Sequence, residues 1–89
     1  MTKKFKADLQ DLKELGQFYL LNGKFSEAIE KFKLALKLKP DDADIYFQLG
    51  LAYEGACYIN EAKEMFRKTL ELDNTMKEAV EHLDRLAGK

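Results

Sequence analysis

The sequence repeats itself with a period of 34 residues, and this repeat restricts the possible folds more than any other feature. A shift of 34 residues aligns nine identical residues between segments 15–38 and 49–72. They are Leu15, Gly16, Tyr19, Glu27, Ala28, Glu30, Phe32, Leu36 and Leu38, which recur as Leu49, Gly50, Tyr53, Glu61, Ala62, Glu64, Phe66, Leu70 and Leu72. Such a period is typical of arrays in which each repeat is one supersecondary unit that buries its apolar face against its neighbours.

Each repeat contains two stretches in which apolar residues return every three or four positions, and this spacing predicts two amphipathic helices per repeat. The segment Asn22-Gly23-Lys24 separates the two helices of the first repeat, which are therefore expected to fold back as a hairpin. The small residues Gly16 and Ala28 should let the two backbones approach closely. The predicted helices span residues 8–22, 25–39, 42–56, 59–73 and 75–87.

Residues at the predicted helix ends support these boundaries. Pro40 is expected to end the second helix, because proline cannot continue a helix, and Asp41 or Asp42 can cap the third. Thr75 and Glu78 have the spacing of a capping box, which is expected to open the fifth helix.

The order of the repeated residues resembles the tetratricopeptide repeat family, whose pattern has these residue types at these spacings. The first copy reads Leu12-x2-Leu15-Gly16-x2-Tyr19, Ala28-x3-Phe32 and Pro40, and the second reads Tyr46-x2-Leu49-Gly50-x2-Tyr53 and Ala62-x3-Phe66. Cys57 replaces the turn glycine, and Asn74 replaces the proline. The resemblance implies an all-α fold, in which two antiparallel helix-turn-helix repeats plus a capping helix form a right-handed α-solenoid.

The domain organisation follows from the repeat phase. We expect one domain over residues 1–89, with an N-terminal segment (1–8), a first repeat (9–42), a second repeat (43–76) and a capping helix (77–89). The fifth helix has apolar residues on one stripe only and places Asp84 where the repeats have glycine, which is typical of a terminal cap.

Composition excludes several classes of function. The 15 basic and 16 acidic residues give a net charge of -1, so nothing favours nucleic acid or an anionic membrane as a partner. The longest apolar runs, such as 18–21, are far too short for a membrane span. Cys57 has no cysteine to pair with, and no signal core follows the N-terminus, which predicts a cytoplasmic protein.

Catalytic and cofactor motifs are missing from the sequence. Cys57 falls at a predicted turn and His82 on the polar face of the fifth helix, so a cysteine–histidine pair is not expected. Neither metal-ligand spacing nor a glycine-rich phosphate loop occurs. We therefore predict a protein that is not an enzyme and uses no metal or cofactor.

The resemblance also implies where a partner would bind, because the first helix of each family repeat lines a concave groove. Carried over by position, the predicted groove residues are Lys13, Gln17, Leu20, Phe47, Gln48, Leu51, Glu54, Glu78 and His82. The family's clamp for a peptide carboxylate uses lysine, asparagine, asparagine, lysine and arginine, and of these only Lys13 is present. A groove with an apolar centre and an acidic far wall is therefore expected, although Leu20, Phe47 and Leu51 have an alternative interpretation as partly buried packing residues.

Two functions remain open at this point. The first is a protein-interaction module, an adaptor or scaffold that binds a peptide or helix of a partner protein in the groove. The second is self-association into a homo-oligomer through the N-terminal end, where Phe18 and Leu21 are expected to be exposed.

Overall fold

The computed structural model describes residues 8–88, and every regular element in that range is an α-helix. The helices are α1 (Leu9–Leu21), α2 (Phe25–Leu38), α3 (Ala43–Gly55), α4 (Ile59–Leu72) and α5 (Lys77–Ala87). The predicted order is confirmed, and the ends of the first four helices lie within one residue of their expected positions. Residues 1–7 of the predicted N-terminal segment, and Lys89, lie outside the described residues.

The helices form an α-solenoid of two hairpins and a closing helix. Helix α1 pairs with α2, and α3 pairs with α4, while α2 packs against α3 and α5 packs against α4. None of the helices in the described range is long and apolar enough to cross a membrane.

Aspartates cap the first helices of both repeats. The Asp8 carboxylate accepts a hydrogen bond from the Asp11 amide at 2.9 Å, and the Asp42 carboxylate accepts one from the Ile45 amide at 3.2 Å. Each bond satisfies a backbone donor that has no partner inside the helix. The prediction of a cap at Asp41 or Asp42 is therefore confirmed at Asp42.

The predicted capping box at the start of the fifth helix is wrong. The Thr75 hydroxyl donates to the Asp73 carboxylate at 2.6 Å, and the Thr75 amide donates to the same oxygen at 3.1 Å. This local turn competes with the helix for Thr75. Helix α5 consequently begins at Lys77, and its N-cap residue, Met76, makes no side-chain capping bond.

The core lies in two adjoining clusters. The first joins α1, α2 and α3 through Leu12, Ala28, Phe32, Ala35, Ile45, Leu49 and Ala52. The second joins α4 and α5 through Ala62, Phe66 and Leu86. Helix α5 therefore seals the end of the second repeat, as its single apolar stripe predicts.

The helical glycines leave room for aromatic rings. A Cβ atom on Gly16 would lie 2.7 Å from the Phe32 ring, and one on Gly50 would lie 2.6 Å from the Phe66 ring. The prediction that these positions must be small is confirmed. The small residue is required by a phenylalanine ring from the second helix of the same hairpin. The sequence pattern predicts instead that a close approach of the two backbones requires it.

Candidate functional site

The first helices of the repeats, α1 and α3, line an open cavity together with Phe32 of α2. We call the surface formed by α1, α3 and α5 the groove. The cavity has a volume of about 230 Å³. It is lined by Gln10, Lys13, Glu14, Gln17, Phe32, Asp44, Ile45 and Gln48. Three of the predicted groove residues, Lys13, Gln17 and Gln48, therefore come together here.

Lys13, which lines this cavity, is held by two aspartates at the start of α3. Its Nζ atom lies 3.3 Å from Oδ2 of Asp42 and 3.6 Å from Oδ2 of Asp44. The side chains of Lys13 and Asp42 are largely shielded from solvent, so water weakens their attraction less than it would at an open surface. The only residue that matches the family's carboxylate clamp is thus already neutralised by the chain itself.

A second polar cluster links α3 to α5 at the other end of the groove. Nη1 of Arg85 donates to Oε2 of Glu54 at 2.6 Å, and Nη2 donates to Nδ1 of His82 at 2.7 Å. Because a guanidinium can only donate, Nδ1 must accept, and the neutral imidazole carries its proton on Nε2. The Nδ1 atom also lies 3.3 Å from Oε1 of Glu54, a contact that becomes an ion pair only when the ring is protonated.

This cluster favours the charged forms of both partners of its ion pair. Partial burial of the Glu54 carboxyl opposes its ionisation, but the hydrogen bond and charge of Arg85 lower the pKa of Glu54 below its ordinary value. The hydrogen bond and charge of Glu54 in turn raise the pKa of Arg85. Glu54, a predicted groove residue of the acidic wall, therefore has its carboxylate paired with Arg85 of α5.

The predicted apolar centre of the groove is largely used for packing. The Phe47 ring lies 5.7 Å from the rings of both Phe66 and His82, measured between centroids. Phe47 and Leu51 are partly buried against the second core cluster, and Leu20 is partly buried against the first. Their positions agree with the alternative interpretation as packing residues.

His82 and Glu78 lie on α5, at the positions where the resemblance implies clamp residues. The imidazole of His82 stacks on the Phe66 ring at a centroid distance of 5.3 Å, whereas Glu78 is exposed. Sequence reasoning missed Arg85, which lies one helical turn beyond His82 and is the only cation that ties α5 to α3 within residues 8–88. Because Arg85 follows His82 by three residues, the two side chains are neighbours on the surface of α5, and this spacing could have predicted their contact.

The N-terminal end of the solenoid is open in the described part of the chain. Phe18 is 57% exposed and Leu21 is 81% exposed. The residue 34 positions after Phe18 is Ala52, which is 0% exposed because α3 packs against α2. The expectation that Phe18 and Leu21 are exposed is therefore confirmed.

Comparison with known proteins identifies the family. A family model described as a TPR repeat matches residues 16–55, and another described as a tetratricopeptide repeat matches residues 43–76. Together they cover more than half of the chain. The chain belongs to the tetratricopeptide repeat family. It is accordingly a helical module for protein interaction.

Two relatives and one solved structure place this repeat domain among known proteins. The peroxisomal targeting signal receptor of Candida albicans is 31% identical in an alignment 86 residues long, and the match covers 78% of this chain and 14% of the relative. Heat shock protein STI1 of Saccharomyces cerevisiae is 36% identical over 63 residues, covering 71% of this chain and 11% of the relative. The chain thus spans a small part of either protein.

The solved structure is the second TPR domain of human RPAP3, in complex with the HSP70 peptide SGPTIEEVD. Its sequence is 26% identical and its TM-score is 0.87. The match covers 93% of this chain and 69% of that chain. Over nearly the whole chain, the fold therefore matches that of a domain determined in complex with a peptide.

Proposed function

We propose that this TPR module binds a segment of a partner protein in the groove formed by α1, α3 and α5, and that its role is binding without catalysis. The cavity between α1 and α3 carries the proposal. Gln17 and Gln48 stand on its walls, and the amide of each can both donate to and accept from a peptide backbone. The RPAP3 domain with the same fold was determined with a peptide, which supports a peptide as the type of ligand.

The anchor of that segment is expected to differ from a terminal carboxylate. Lys13 is paired with Asp42 and Asp44, and Glu78 stands where the family's clamp has a second lysine. A carboxylate placed between these positions would meet one neutralised cation and one like charge. Hydrogen bonds between the main chain of the ligand and the side-chain amides of Gln17 and Gln48 are the interaction that remains.

The test is selection from a phage-displayed library of random dodecapeptides, followed by affinity measurements on the Gln17→Ala/Gln48→Ala variant. Both glutamines lie at the surface, whereas polar substitutions at Phe47 and Leu51 would damage the core. We expect peptides selected on the wild type to lose roughly tenfold or more in affinity, because each lost hydrogen bond contributes about 0.5–1.5 kcal/mol. Asn60→Ala, an exposed amide on α4, serves as the control. Unchanged affinity in the groove variant would refute the proposal.

Self-association through the N-terminal end is the second candidate, and the exposure of Phe18 and Leu21 favours it. A second copy could cover this face of α1 as α2 covers the equivalent face of α3. Sedimentation velocity at two concentrations decides the matter. A concentration-independent monomer would exclude it, and a dimer that Phe18→Glu dissociates would support it.

A cytoplasmic location is part of the proposal. The exposed Cys57 has no second cysteine in the sequence to pair with, which suits a reducing compartment. Fluorescence microscopy of the tagged protein in its source cell tests it, and a signal confined to an oxidising compartment would contradict it.

A further inference from the structure

The charges of the groove determine which charge a bound ligand should carry. This inference rests on the proposed function. The groove and its edges carry two cations, Lys13 and Arg85. Both are already paired: Lys13 lies between Asp42 and Asp44, and Arg85 donates to Glu54 at 2.6 Å. A ligand carboxylate could recruit either cation only by displacing a carboxylate of the chain.

The acidic side chains of the groove are paired with opposite charges less completely than its two cations are. Glu14 lines the cavity, and within residues 8–88 its only side-chain partner is the amide of Gln10, which donates to it at 2.8 Å. Glu78 lies on α5 and forms no ion pair in the described part of the chain. The predicted groove residues, the cavity lining and their ion-pair partners include five carboxylates, those of Glu14, Asp42, Asp44, Glu54 and Glu78. Against Lys13 and Arg85 they leave a net charge of -3, although the whole chain has a net charge of -1.

The cavity is a place where this excess of negative charge can attract one cationic side chain of a ligand. It is about 230 Å³ in volume, and Glu14 and Asp44 stand on its walls beside the amides of Gln17 and Gln48. The amides can bond the ligand backbone while the carboxylates attract a cation. Complementary potential of this kind selects among ligands and speeds their association.

We propose that the groove selects a cationic peptide segment, with one lysine or arginine side chain in the cavity beside Glu14 and Asp44 and a further basic residue beside Glu78. Acidic segments are selected against, because they meet unpaired carboxylates at both ends of the groove and no available cation between them. The preference is therefore opposite in sign to that of a carboxylate-clamp groove with the same fold.

The test compares charge-matched peptides on charge-matched variants. Fluorescein-labelled peptides from the library selection are measured by anisotropy at low and at physiological salt, each beside a version in which every lysine and arginine is replaced by glutamate. The groove variant is Glu14→Gln/Glu78→Gln. Its control is Glu30→Gln/Glu64→Gln, which removes two exposed carboxylates from α2 and α4 and changes the net charge equally.

We expect basic peptides to bind at least tenfold more tightly than their glutamate versions at low salt, and the ratio to fall as salt screens the charges. The groove variant should weaken basic peptides roughly three- to tenfold, since an exposed ion pair contributes about 0.2–1 kcal/mol, and the control should change affinity less than twofold.

The outcomes separate this inference from the proposed function. Tighter binding of the glutamate versions, still lost in Gln17→Ala/Gln48→Ala, would overturn the charge preference and leave groove binding intact. Equal weakening in the groove variant and its control would overturn the charge preference as well, because net charge alone would then explain the binding. If no peptide depends on Gln17 and Gln48, both proposals fail.

Discussion

Replacing Cys57 with glycine is expected to stabilise the protein, because the backbone at this turn adopts a conformation that favours glycine. Cys57 has a φ angle of 67°, and at the equivalent turn of the first repeat Gly23 has 73°. In both turns the next residue donates its amide to a carbonyl five residues earlier, at 2.9 Å from Lys24 to Tyr19 and at 2.9 Å from Tyr58 to Tyr53. These bonds close the helix ends in the left-handed motif that glycine usually occupies.

The magnitude follows from two opposing effects. A side chain in the left-handed region costs about 1–2 kcal/mol, and Cys57 is exposed, so its removal forfeits little packing. Glycine gives the unfolded chain more freedom, which offsets about 0.4–1 kcal/mol of the gain. We expect Cys57→Gly to raise the free energy of unfolding by about 0.5–1 kcal/mol, which corresponds to a Tm higher by roughly 2–8 °C.

The first repeat offers a matched substitution that should change the free energy of unfolding in the opposite direction. Gly23→Ala should lower stability by a similar amount, since no heavy atom lies within 4 Å of the added Cβ and only the backbone angle opposes it. Urea unfolding followed by circular dichroism measures both variants. Cys57→Ala is the control for loss of the thiol, and it should leave stability nearly unchanged. A Cys57→Gly variant no more stable than Cys57→Ala would refute the reasoning.

Two further predictions concern the core and its pH dependence. Gly50→Ala should destabilise the chain by about 1–2 kcal/mol in urea unfolding, because overpacking against the buried Phe66 ring exceeds the gain in helix propensity, and the additional change Phe66→Leu should recover part of the loss. A Gly50→Ala variant as stable as the wild type would show that the ring can move aside. Because the folded pKa of Glu54 lies below its ordinary 4.5, its contribution to stability is present above that pH and is lost as the pH falls through the lower folded value. Between pH 7 and pH 2 the free energy of unfolding should therefore fall further in the wild type than in Glu54→Gln. The difference should be less than about 1 kcal/mol, because the pair is largely exposed to solvent. An equal fall in both proteins would contradict the lowered pKa of Glu54.

The repeat phase was sufficient to predict the helices and their order. Leu12, Gly16 and Phe32 must meet in the first hairpin for its apolar surface to be buried, and Gly50 and Phe66 repeat the pattern in the second, so two signals agreed. The exception was the start of α5. There the hydrogen bonds between Thr75 and Asp73 decided the boundary, and a local side-chain bond leaves no trace in hydrophobic periodicity.

The groove was harder to predict because its character depends on which charges pair. Position in the repeat placed Lys13, Gln17 and Gln48 around one cavity. It could not show that Lys13 faces Asp42 across 29 residues, or that Arg85 reaches Glu54 across 31 residues. Pairs so distant in sequence depend on the rotamers of long side chains, which one sequence does not specify.

These ion pairs connect the stability of the array to the chemistry of its groove. Helix α5 packs against α4, and the ion pair of Glu54 with Arg85 adds a direct link to α3. Lys13 likewise joins α1 to the start of α3. Lys13 and Arg85, the two cations of the groove, are therefore used to hold α1 and α5 to α3. A short array with a thin core gains from such links, and the carboxylates left unpaired, Glu14 and Glu78 among them, then set the sign of the surface that a partner meets.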